Sequence, residues 1–135
     1  MKVLVAQAKG NVLDFLVAMC QEPEDGKITV TRREDQIGHP LQRETSYQSY
    51  KYERWSPSRI WAQGGPIIDK MMFNGLQLMQ PVVVPTIEHA CRASLNNPNA
   101  FYFGSTPLIA AMRCYAGSKL GTEVEVLDYI LELLK

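Results

Sequence analysis

The run Gly104-Ser105-Thr106-Pro107-Leu108-Ile109-Ala110-Ala111-Met112-Arg113-Cys114-Tyr115 decides how this chain is read, because it carries its own start signal. Thr106 is a good N-cap, and Pro107 suits the first helical position, where no backbone N–H is needed. The helix should stop near Lys119-Leu120-Gly121. Lys119 favours the negative end, and Gly121 can take the left-handed turn that closes a helix. Thr106, Ala110, Arg113 and Gly117 follow at four, three and four residues and so share one stripe. Three are small and one is a long cation that leans back toward the helix start. Free first-turn N–H groups, the helix dipole and the guanidinium together make an anion site. The structural alternative is that Thr106 only caps, the alanines only pack, and Arg113 pairs with an acid such as Asp69.

Upstream, Phe101-Tyr102-Phe103 is a compact aromatic strand, and Asn96-Asn97-Pro98-Asn99 a loop. Thr86 to Leu95 is expected as a helix capped by Thr86 with Glu88 near its positive end. Gln80 to Val84, bounded by Pro81 and Pro85, is expected as an edge strand. Trp61-Ala62-Gln63-Gly64-Gly65-Pro66-Ile67-Ile68-Asp69 is the second dense signal. Its Gly-Gly-Pro step predicts a tight turn leading into a strand at Ile67-Ile68, and the glycines would let a ligand come close. Residues 32 to 59 hold six arginines and lysines interleaved with Tyr47, Tyr50, Tyr52 and Trp55. Such a mixture can stack nucleobases. The plain reading is a solvated loop whose aromatics dock onto the domain.

Toward the N-terminus, Asp25-Gly26 marks a turn and Lys27 to Thr31 a short strand. Val12, Leu13, Leu16, Val17 and Cys20 recur at helical spacing from a cap at Asn11, and the helix should end before Glu22-Pro23. Val3 to Val5 opens the chain as a short strand or as the lead into a helix. At the far end Leu127, Ile130, Leu131 and Leu134 give an amphipathic helix over 127–134. The sum is one α+β domain over 1–135, with a short mixed or antiparallel sheet packed against three to four helices.

Composition narrows the function classes. The 46% apolar content supports a core, and 14 basic against 14 acidic residues demotes nucleic acid as a partner. Three cysteines without paired spacing argue against a disulfide framework or zinc site and fit a reducing cytoplasm. No apolar stretch has the length of a membrane span. His39 and His89 read as structural or solvent-facing, and Glu22/Glu24 and Glu123/Glu125 as surface charge. No nucleophile elbow, Walker loop, dinucleotide fingerprint or HExxH occurs, so neither catalytic residues nor a cofactor are assigned.

The segments 61–69 and 105–115, the latter followed by Ser118-Lys119-Leu120-Gly121, resemble the phage NinX-like family of small proteins encoded by tailed phages and prophages. Gly10-Asn11-Val12-Leu13-Asp14, leading to Val17-Ala18, is similar to the family's opening helix. The middle segment and the helix after Val126 look peculiar to this member. The resemblance implies an accessory protein expressed in the cytoplasm of a bacterial host, and it carries over no catalytic residue.

Three readings follow. The first is a non-enzymatic protein whose pocket takes a small anionic, nucleotide-derived ligand through Trp61, Gln63, Gly64, Gly65, Gly104, Ser105, Thr106 and Arg113, so sequestering a host signalling molecule. The second is a module that occupies a host protein through the C-terminal helix and the aromatic loop. The third is a nucleotide-directed enzyme with Asp69 as base. The apolar stripe at 127–134 also predicts a homo-oligomer.

Overall fold

The computed structural model describes residues 1–21, 28–30, 39–44, 52–79, 87–95 and 101–135. Among these, three small antiparallel sheets surround four helices, an α+β arrangement in which the single expected sheet is split. Strand β1 (Lys2–Leu4) pairs with β8 (Glu123–Glu125), joining the two ends of the chain. Strands β2 (Ile28–Val30), β3 (Leu41–Glu44) and β4 (Tyr52–Arg54) form a second sheet, and β5 (Leu76–Met79), β6 (Cys91–Leu95) and β7 (Tyr102–Gly104) a third. The helices are α1 (Gly10–Met19), α2 (Trp61–Phe73), α3 (Pro107–Leu120) and α4 (Asp128–Leu134).

Helix α3 is central. It lies on the β5-β6-β7 sheet and also meets α1, α2 and the 3-10 turn at Val5–Gln7. The Thr106 hydroxyl accepts from Ile109 N at 3.2 Å, Pro107 is the first helical residue, and Gly121 closes the helix at φ +87°. Leu108, Ala110, Ala111, Met112, Cys114 and Ala116 are all buried, so small residues let the sheet and two helices approach one rod from several sides.

Three expectations are overturned. The Gly-Gly-Pro step makes no turn, and Ile67-Ile68 make no strand, because the whole of 61–73 is α2. Ile67, Ile68 and Met71 are buried at helical spacing, and that burial outweighs the ~3 kcal/mol that an interior proline costs a helix. Pro66 lies only six residues in, and the carbonyl it leaves unpaired belongs to exposed Ala62. The expected helix at 86–95 is instead a 3-10 turn at Ile87–His89 followed by strand β6. Cys91-Arg92-Ala93-Ser94-Leu95 would suit a helix, but β6 is the central strand between β5 and β7, with Ala93 sealed beneath α3. Tertiary pairing overrides local preference there. Asn11 does not cap α1. Lys9 stands at that position, and the Asn11 amide instead donates to Leu134 O at 3.0 Å.

Residues 32–59 also hold more structure than a solvated loop. They supply β3 and β4, and Trp55 is completely buried, its indole N–H donating to Asp14 O at 3.1 Å. Arg43 lies 4.9 Å over the Trp55 ring and is paired with Glu53. His39 sits at the entry to β3, where Leu41 N donates to its Nδ1 at 3.3 Å. The expected strand at 80–84, the turn at 25–26, the loop at 96–99 and Tyr47 and Tyr50 lie outside the described residues. Most of the stripe is turned inward: Leu134 is buried and Ile130 and Leu131 are half-buried, whereas Leu127, at the cap of α4, is exposed, and the helix packs on α1 and β2. Part of the face that motivated self-association is thus used within the chain, while its Leu127 end stays exposed.

One buried carboxylate holds these parts together. Asp14, on the core side of α1, is fully enclosed. Its Oδ1 accepts from Ser58 N at 2.9 Å, its Oδ2 from the Ser56 hydroxyl at 2.7 Å, and Arg59 Nη2 lies 3.4 Å from Oδ2. Arg59 also donates to Asn11 Oδ1 and Ser56 Oγ, both at 2.7 Å. Asp14→Ala should lower stability by about 3 kcal/mol in urea denaturation, since two interior donors then lose their acceptor at ~1–3 kcal/mol each. Asp14→Asn should cost less, as one amide oxygen remains to accept.

Candidate functional site

A cleft of about 730 Å³ opens beside the start of α3. Phe101 and Phe103, two residues apart, lie on the same side of the chain, as strand alternation requires. Ile109 and Arg113 reach the cleft together because they stand four apart on α3. Glu88 and His89 come from the 3-10 turn before β6, Ser105 from the link into α3, and Gln7 and Lys9 from the approach to α1. The His89 and Phe103 rings lie 5.0 Å apart at 58°, and the Arg92 guanidinium sits 4.4 Å over Phe101. Lys9 is the N-cap of α1 and makes no side-chain capping bond, so the positive end of the helix reinforces the lysine.

Arg113 anchors this wall. Its Nε donates to Ala8 O at 2.8 Å and its Nη1 to Phe103 O at 2.7 Å, joining the N-terminal segment to β7. Burial pulls its pKa below the usual guanidinium value, while nearby Glu88 acts in the opposite direction. The anticipated pairing with Asp69 is not made. Asp69 is exposed on α2, and Arg113 satisfies backbone carbonyls instead.

The two sequence motifs touch, but their residues do not face one hollow. Contact is through Gly64, where a Cβ would run into the Pro57 carbonyl and the Leu108 side chain. Gly104 is likewise a packing position, pressed against Ile109 and the backbone of Ala110. Gln63 is a buried clamp: its Oε1 accepts from Ser56 N at 2.6 Å, and its amide donates to Arg54 O. It borders a separate hollow of about 140 Å³ with Arg43, Pro66, Lys70 and Tyr115. Tyr115 and Arg113 point about 200° apart around α3, so the two hollows lie on opposite faces of that helix. Trp61 is 58% exposed at the start of α2, and Gly65 faces open space. Thr106 spends its hydroxyl on Ile109 N and its carbonyl on Ala110 N, which consumes first-turn donors that an anion would need. Of the residues singled out from sequence, Ser105 and Arg113 line the large cleft.

Lys9, Glu88, His89, Phe101 and Phe103 complete that cleft and were not foreseen. The alternation of Phe101 and Phe103 was a readable signal, whereas nothing local ties Lys9 to residues about a hundred positions away. Among the described residues no group of three or more histidines, cysteines or carboxylates is placed to hold a metal.

Arg113→Ala should lower stability by about 2–4 kcal/mol in chemical denaturation, because two charge-assisted bonds to carbonyls disappear. Arg113→Lys should recover part of this through a single donor. Gly64→Ala should cost about 1–3 kcal/mol by overpacking the α2–α3 contact, with no ligand present.

A comparison with curated proteins finds no match. A family model described as "Bacteriophage P22, NinX" matches residues 4–119, running through the middle segment and both motifs. No helix among the described residues is long and apolar enough to cross a membrane. A match over most of the length, spanning α1, the motif of α2 and the capped α3, establishes that this chain belongs to the phage P22 NinX family.

Proposed function

We propose that this phage accessory protein acts in the cytoplasm of its bacterial host by binding a small anionic, nucleotide-derived ligand, so withdrawing a host signalling molecule. One observation carries the reading: a single cleft brings Lys9 and Arg113 together with the rings of Phe101, Phe103 and His89. Cations beside aromatic faces suit a molecule that is charged at one end and planar at the other. The volume is in the ~300–1,000 Å³ range of small-molecule sites. In this reading the phosphate lies toward Lys9, Ser105 and Arg113, and the base lies against Phe101 or Phe103. On this reading the protein serves as a binding protein.

A second reading, occupation of a host protein, draws on a different surface. Phe73 is 93% exposed at the end of α2, with Met72 and Trp61 also largely exposed. Such side chains are enriched at protein interfaces. They share no residue with the cleft.

Arg113 is a poor probe of binding, because it also holds the fold. Lys9 is exposed and separates the two roles. Calorimetric titration with adenosine and guanosine monophosphate should show binding that Lys9→Ala weakens about tenfold, equal to ~1.4 kcal/mol. The melting temperature should stay unchanged. Equal affinity in Lys9→Ala would remove the phosphate from this end of the cleft.

A further inference from the structure

The cleft holds one group that opposes its own cations. Lys9 and Arg113 bring two positive charges, and Glu88 brings a carboxylate to the same lining. Arg113 has already given one N–H from Nε and one from Nη1 to Ala8 O and Phe103 O, so three of its five donors remain, fixed in direction by those two bonds. Glu88 is held close to the aromatic wall by its neighbour His89, whose ring meets Phe103 at a tilt of 58°. It is exposed, so its charge faces whatever enters from solvent. A phosphate monoester carries about −1.5 to −2 at neutral pH, already more than the single net positive charge that Lys9 and Arg113 keep once Glu88 is counted. A second or third phosphate brings more negative charge, and Glu88 repels it.

Resting on the nucleotide reading above, we propose that Glu88 is a specificity-determining residue that makes the cleft select ligands with a single phosphate over di- and triphosphates. The carboxylate stands among the cations as a charge limit. Its charge weighs against each phosphate added beyond the one held by Lys9, Ser105 and Arg113. The same carboxylate can accept hydrogen bonds from the hydroxyls of a ribose, an interaction that a phosphate chain in its place would lose.

The test is calorimetric titration of the full chain with adenosine mono-, di- and triphosphate, without divalent cations and at fixed ionic strength, repeated on Glu88→Gln. The unaltered chain should bind the monophosphate most tightly and the triphosphate least. Glu88→Gln should tighten the di- and triphosphate by about three- to tenfold, as expected for removal of one exposed like charge. It should leave the melting temperature in place, because Glu88 is exposed in a short turn. Triphosphate binding as tight as monophosphate in the unaltered chain would overturn the selectivity while leaving the nucleotide reading intact. A preference for monophosphate that persists in Glu88→Gln would overturn the role of Glu88. Absence of binding by all three nucleotides, and by their guanosine counterparts, would instead remove the nucleotide reading on which the proposal rests.

Discussion

The Asp14 carboxylate lies in the interior of the protein with its oxygens committed to the 56–59 turn. A carboxylate in that position is tolerable only while its hydrogen bonds are met, so its burial forces a specific arrangement of everything around it. The Ser56-Pro57-Ser58-Arg59 turn must sit against α1, and this fixes where the chain enters α2. Gln63, on the first turn of α2, then grips Ser56 N and Arg54 O from the other side. Trp55, between these two grips, is pinned into the core with its indole N–H on the carbonyl of the same Asp14. Helix α2 is thereby set at a distance from α3 that only a glycine at position 64 can accept.

Helix α3 passes this order on to the cleft. Its small buried residues let α1, α2 and the β5-β6-β7 sheet close around it, and Arg113 crosses from it to two carbonyls. One of these belongs to Ala8, beside the start of α1, and the other to Phe103, at the aromatic wall. The residue that contributes positive charge to the cleft is thus the one that fixes the separation of two of its walls. In the proposed reading, binding and stability are coupled at Arg113, whereas Lys9 and Glu88 contribute charge from exposed positions.

Much of this was legible in the sequence where local chemistry is decisive. The start of α3 followed from Thr106-Pro107 and its end from Gly121, because caps depend on neighbouring backbone alone. Helices α1 and α4 followed from spacing and β7 from its run of aromatics, whereas Val3 to Val5 admitted either a strand or the lead into a helix. The segments misread are those where a distant partner decides. Gly64-Gly65-Pro66 has the composition of a turn, and only the approach of Pro57 and Leu108 explains its glycine inside a helix. Residues 91–95 favour a helix in isolation, and their place between two strands makes them β6. Asp14 stood in the run similar to the family's opening helix, but its burial was not legible, since a lone carboxylate in an amphipathic pattern reads as surface charge until the turn that covers it is known. The site was legible in two of its residues, Ser105 and Arg113. Its remainder comes from three other segments that topology alone brings together.

The central claim is that the working surface is the cleft on the Arg113 face of α3 rather than the α2 surface around Trp61 and Phe73. The most direct measurement is a titration of isotopically labelled protein with adenosine monophosphate, followed by amide chemical shifts. The account predicts shifts concentrated at Lys9, Glu88, His89, Phe101, Phe103, Ser105 and Arg113, with the amides of 61–73 unmoved. Shifts concentrated along α2, or a spectrum that does not respond at millimolar nucleotide, would contradict it.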